Sequence, residues 1–226
     1  MKILNKSTFV LFFAFAVVLV SCQTTGRTEP FTVNHNSPQI PLGDIDVQFD
    51  TFLSIGGLKK QTVKVIYYPK EDAVCIQYKQ DFFTFNQFWS RAGRNAFKNA
   101  FQRYNEEYDA RTLKRTGNSS KVYGKVQGYL IWQQSSFTVR AHAGMSVELG
   151  YGFKEKVPYF VTNQRSAEFI DPNSNDNYRN SQTIPMFYTR AQAAELIALF
   201  EQSLLNDLRG NIDTQDDPRE AAKDDY

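Results

Sequence analysis

Residues 121–149 read KVYGKVQGYLIWQQSSFTVRAHAGMSVEL. Side chains alternate between the two faces of a strand. Val122, Gly124, Val126, Gly128, Leu130 and Trp132 therefore share one face of a first strand. Phe137, Val139, Ala141, Ala143, Met145, Val147 and Leu149 share one face of a second. A loop from Gln133 to Ser136 predicts the pairs Trp132–Phe137, Leu130–Val139 and Val122–Val147. On the opposite face this register sets Lys121 beside Glu148, Gln127 beside His142 and Tyr129 beside Arg140. The opposite charges of the first pair support it. A slip of one residue would turn one apolar set to water.

The flanking segments repeat the same logic. Ile45, Val47 and Phe49 alternate, as do Val63, Val65 and Tyr67, and then Val74, Ile76 and Tyr78. Gly56-Gly57 and the run Pro69 to Asp72 supply the turns, so a three-stranded meander is expected. From Thr84 to Arg111 the residues Phe85, Phe88, Trp89, Ala92, Ala96 and Ala100 recur every three or four positions, the spacing of a helix face. A third strand of the second meander is expected over 157–162, followed by a long polar loop over 171–185. Thr189 with Gln192 three positions on predicts a capped helix start, and Arg209-Gly210 its end. The expected fold is α+β: about six antiparallel strands in the order βββα-βββα, with two amphipathic helices covering one face. Small residues on the hairpin (Gly124, Gly128, Ala141, Ala143) and on the first helix (Ala92, Ala96, Ala100) predict a close helix–sheet crossing.

The ends of the chain differ in kind from its centre. Lys2 and Lys6 precede an apolar run from Phe9 to Val20, too short to span a bilayer but typical of an export signal. The run closes on Leu19-Val20-Ser21-Cys22. This stretch resembles the lipobox of bacterial lipoproteins. The resemblance implies cleavage before Cys22, acylation of its thiol and new N-terminus, and anchoring in a membrane of the cell envelope. Gln23 in place of Asp favours the outer membrane where one exists. The expected organisation is a signal peptide over 1–21, a tether over 22–43, one domain over 44–210 and a disordered acidic tail over 211–226. Without Lys2 and Lys6, 24 of the 26 bases remain against 24 acids, so the mature chain is neutral.

Of the 226 residues 42% are hydrophobic and 22% charged, which excludes a disordered chain and a polytopic membrane protein. Catalytic equipment is sparse. His35 lies in the tether, and His142 is too far along its strand from Ser146 to form a dyad. Tyr123, Tyr129, Arg140 and His142 share the polar hairpin face, which reads either as a shallow binding face or as a solvated one. Cys75 has no second thiol or histidine beside it, and reads as structural. Asp171, Asn173 and Asn175 imitate the start of a calcium loop, but Asp176 and Gln182 replace its Gly and Glu. No metal and no cofactor are expected. From Trp89 to Lys125 nine bases face three acids, and Arg91, Arg94 and Lys98 lie on one side of the expected helix. That stripe is either a contact for anionic lipid or an acidic envelope protein, or a solvated face. An exported chain does not meet nucleic acid. The functional expectation is a lipid-anchored, non-catalytic binding or assembly module. The alternative is an envelope hydrolase of cell-wall sugar or peptide using paired carboxylates such as Glu148, Glu155 or Glu168.

Overall fold

The computed structural model describes residues 31–50, 57–114, 121–134, 140–169 and 180–215, with side chains as far as Gly210. Eight strands run β1 (Ile40–Asp50), β2 (Leu58–Tyr68), β3 (Ala73–Gln80), β4 (Phe83–Trp89), β5 (Lys121–Gln134), β6 (Ala141–Lys154), β7 (Val157–Gln164) and β8 (Ile184–Tyr188). The helix α1 (Arg91–Asp109) follows β4, while α2 (Arg190–Leu199) and α3 (Gln202–Gln215) follow β8. Each strand pairs antiparallel with the next, and β8 returns to β1. The result is a closed barrel. It overturns the six-stranded α+β sheet in βββα-βββα order.

Two strands make the difference. Phe83, Phe85, Gln87 and Trp89 of β4 point inward at period two, and Phe88 points outward. Gln87 interrupts the apolar alternation, so Phe85, Phe88 and Trp89 imitate a helix face. The helix itself begins at Arg91, where the Ser90 side chain caps the Gly93 N–H. β8 is five residues long and follows a polar stretch that hid it. β1 also starts earlier than expected, at Ile40, and α3 continues through Gly210 to Gln215. Closure through the short β1–β8 seam joins the two edges that an open sheet would leave free.

The long hairpin exists, but its register is shifted by four. Leu130 faces Ala143, Val126 faces Val147, and Lys125 rather than Lys121 faces Glu148. An even shift keeps every apolar set on its own face, which is why the pattern could not reveal it. The segment 135–139, with Phe137 and Val139, lies outside the described residues. A bulge between Val122 and Gly124 reverses the alternation there. Tyr123 turns toward Tyr151, with ring centres 5.8 Å apart, and Val122 is left 43% exposed.

The interior is filled, as eight-stranded barrels commonly are. Val47, Val65, Ile76, Phe85, Leu130 and Val147 are among its fully buried side chains. A polar chain also runs through it. Gln164 Oε1 accepts from the Tyr78 hydroxyl at 2.8 Å and from Gln87 Nε2 at 3.1 Å, and Gln87 Oε1 accepts from Trp89 Nε1 at 2.9 Å. Both glutamines and both aromatics are buried, so mutual satisfaction offsets their desolvation. The outer wall carries Asp46, Lys60, Lys64, Gln77, Asn86 and Lys125. Charged residues at these outward positions differ from the apolar outer band of a membrane-spanning barrel. Among the described residues no helix is long and apolar enough to cross a membrane.

The helices plug the end where β4 and β8 finish. α1 packs against β4, β5 and β6, and α2 against β1, β7 and β8. Phe97 sits at the centre of the plug, 5.0 Å from Phe160, 5.5 Å from Phe200 and 5.8 Å from Trp89 between ring centres. The buried face of α1 is Gly93, Arg94, Phe97, Ala100, Phe101 and Tyr104. Of the expected alanine stripe, Ala100 is buried and Ala96 packs at the margin of the core, but the aromatic residues make most of the contact. Ala92 is exposed, and a Cβ on Gly93 would stand at ordinary contact distance from the Trp89 ring and the Gln127 carbonyl.

A candidate binding groove on the outer wall

Register lines up side chains across the outer wall in rows. One row is Lys64, Gln77, Asn86, Ile131 and His142, from β2 to β6. The next row toward the helices is Ile66, Cys75, Phe88 and Tyr129, and the next the other way holds Lys79, Thr84 and Gln133. The segment 31–39 lies across these rows. Val33 is buried against an outer cluster that includes Tyr68, Cys75, Phe88, Tyr129 and Ile131. Ser37 Oγ donates to Glu71 Oε1 at 2.5 Å, and the Tyr68 hydroxyl donates to Gln39 Oε1 at 3.2 Å. What reads in sequence as tether is thus strapped to the barrel.

Strap and wall enclose a groove of about 250 Å³. His35 and Gln39 line it from the strap, and Gln77, Thr84, Asn86, Gln133 and Arg140 from the wall, over a floor of Tyr68, Phe88 and Ile131. Gln77 Nε2 donates to Asn86 Oδ1 at 2.8 Å, and Arg140 Nε donates to Gln133 Oε1 at 3.2 Å. These bonds hold the amides in place. Burial, with Cys75 and Glu71 nearby, pushes the Tyr68 hydroxyl up to about 12, so it stays a neutral donor. Burial also pushes the Cys75 thiol up, which removes it as a nucleophile. No carboxylate lines the groove.

The residues expected to form a polar face separate into two places. Arg140 is in the groove. Tyr129 and His142 flank it, the Tyr129 hydroxyl lying 2.9 Å from His142 Nδ1, with Phe169 stacked edge-on against the imidazole. Tyr123 is elsewhere, because the β5 bulge carries it to the helical end. There the Arg103 guanidinium lies 4.8 Å over its ring, and burial followed by the Glu107 carboxylate raises its hydroxyl pKa. A second cavity of about 470 Å³ opens near it, lined by Glu107, Thr112, Lys114, Lys121 and Tyr151. Lys121 is already paired with Glu107 at 2.6 Å.

Arg91, Arg94 and Lys98 do not form an unpaired cationic stripe. Arg94 is 1% exposed and bonded to Asp72, Gln202 and the Trp89 carbonyl. Arg91 approaches Asp72 at 3.3 Å, and Lys98 meets Glu201 at 2.6 Å. Two of the expected carboxylates, Glu148 and Glu155, lie apart. Glu148 is clasped between Lys125 at 2.9 Å and Arg165 at 2.5 Å, contacts that hold its carboxyl below its usual pKa. Glu155 lies beyond the far end of β6, roughly 20 Å away along the strand. Cys22 and the run 171–179 lie outside the described residues.

Residues 5–207 match the protein family described as "Uncharacterised Treponema protein". The chain belongs to that family. It is 24% identical over 216 residues to an uncharacterized protein of Treponema pallidum (strain Nichols), covering 92% of this chain and 75% of the relative. No solved structure matches it.

The groove residues Gln39, Gln77, Thr84, Asn86 and Gln133 were not legible as a site. They are common surface residues, and only the register brings them side by side. The one available signal was the polar pairing at two outward rows of β3 and β4, Gln77 with Asn86 and Lys79 with Thr84. His35 and Gln39 gave none, since the strap has no periodicity.

Proposed function

We propose that this family member is a lipid-anchored envelope lipoprotein whose barrel is a non-catalytic binding module, with the outer-wall groove as its ligand face. The groove's composition carries the binding part of this reading. Amides, a hydroxyl, an imidazole and a guanidinium can recognise a ligand, whereas no carboxylate or activated nucleophile is present to transform one. The separation of Glu148 and Glu155 weighs against these two as the paired carboxylates of a hydrolase, which lie within about 10 Å of each other.

The anchor rests on Leu19-Val20-Ser21-Cys22. Two or more acyl chains at Cys22 give stable attachment, as each buried CH₂ contributes about 0.8 kcal/mol. Cys22→Ala is expected to abolish incorporation of a labelled fatty acid and to shift the protein out of the detergent phase on partitioning. A Cys22→Ala protein that still takes up label and enters the detergent phase would refute the anchor.

A further inference from the structure

We propose that the groove binds a saccharide carrying a carboxylate, with the acid on Arg140 and the ring hydroxyls on the Gln77–Asn86 amide pair. The proposal rests on the binding-module reading and names its ligand class. Three observations carry it. The first is the donor set. A side-chain amide offers donors and an acceptor together, which matches a hydroxyl that both donates and accepts. Gln77 and Asn86 use one bond to fix each other. The Gln77 carbonyl and the Asn86 NH₂ make no further bond among the described residues, and both residues are only half-buried.

The second observation is charge. Arg140 is exposed and has no carboxylate partner among the described residues, while Gln133 steadies its Nε. Its terminal nitrogens are thereby presented for a planar, two-point contact with a carboxylate. The third is size and floor. About 250 Å³ falls just below the roughly 300–1,000 Å³ of pockets that hold drug-sized ligands, which suits one sugar ring better than a long chain. Tyr68, Phe88 and Ile131 close the bottom of the groove with apolar side chains, and their near-complete burial makes that floor rigid.

The test uses the full lipidated chain in detergent micelles and isothermal titration calorimetry. The probes are a disaccharide containing glucuronic acid, its carboxyl-reduced counterpart, and an acidic tetrapeptide. The acidic disaccharide is expected to bind at least tenfold more tightly than the reduced one. Arg140→Gln should erase that preference, bringing the acidic disaccharide to the affinity of the reduced one, and Asn86→Ala should weaken both sugars about tenfold. Arg140 is exposed, so its variant should keep the parent's thermal midpoint, and it remains informative if Asn86→Ala perturbs the wall. Equal binding of the two sugars, or no binding of either, overturns the proposal. Arg140-dependent binding of the peptide alone also overturns it, while the module reading stands. Fatty-acid labelling of Cys22 reads the anchor separately.

Discussion

Arg94 is the most informative single residue in the fold. Its guanidinium is 1% exposed, and burial lowers its pKa while Asp72 holds it up. Asp72 Oδ1 accepts from Arg94 Nη2 at 2.8 Å, and the same carboxylate faces Arg91 at 3.3 Å and Arg209 at 3.8 Å. The Asp72 carbonyl accepts from Arg94 Nη1 at 2.7 Å. One carboxylate thus joins the β2–β3 turn to α1 and α3. Asp72 adopts φ 47°, a left-handed conformation that Asn tolerates nearly as well. Asp72→Asn therefore preserves backbone and shape, and removes only the charge that compensates the guanidiniums. Stranding a buried charge is costly, though Gln202 and two backbone carbonyls would still serve Arg94. The expected loss is about 2 kcal/mol, read as a lower urea midpoint with an unchanged slope. A midpoint unchanged from the parent would mean that these remaining partners suffice. A helical wheel puts Arg94 opposite the alanines, and that geometry was legible. The direction of burial was not, because Phe97, Phe101 and Tyr104 carry the buried face, with Ala100 among them and Ala92 outside it.

At the scale of elements, local chemistry was legible and pairing was not. The α2 capping box is present as the Thr189 and Gln192 spacing predicts. Thr189 Oγ1 accepts from the Gln192 N–H at 3.3 Å, and Gln192 Oε1 accepts from the Thr189 N–H at 2.9 Å. Thr189→Ala should cost about 1 kcal/mol, checked by thermal unfolding. No change would show that packing of Ala193 and Leu196 alone fixes the helix start. Capping depends on residues three apart, so a sequence can display it. Register in the β5–β6 hairpin depends on a turn whose length the alternation leaves open. Every even shift satisfies the apolar faces equally, and one charged pair could be made with either Lys121 or Lys125. The helical reading of Phe85, Phe88 and Trp89 failed for a different reason. Gln87 belongs inside, because Trp89 and Gln164 satisfy it, and a buried amide looks like a surface residue in sequence.

The two strands hidden in the sequence are the ones that make the whole molecule. β4 joins the first meander to the second, and β8 joins the second back to the first. Without them the six legible strands form two separate three-stranded sheets, for which helices would be the natural cover. With them the sheet closes and the helices are displaced to one end. The β1–β8 seam, with Gln48 opposite Phe187 and Phe49 opposite Met186, is therefore the feature that separates a barrel from an open sheet. Directly opposed antiparallel residues have Cα atoms about 4.5–5.5 Å apart, within the range a disulfide spans. Gln48→Cys with Phe187→Cys should accordingly oxidise to an internal disulfide under mild conditions. Cys75 should not compete, since it is buried and its thiol pKa is raised. The bond would close a loop of roughly 140 residues and restrict the unfolded chain by up to about 4–5 kcal/mol, less the packing lost with the Phe187 ring. A raised denaturant midpoint on oxidation, reversed by reductant, is the expected result. An open sheet would hold the two positions far apart, so the thiols would stay reduced or link separate molecules.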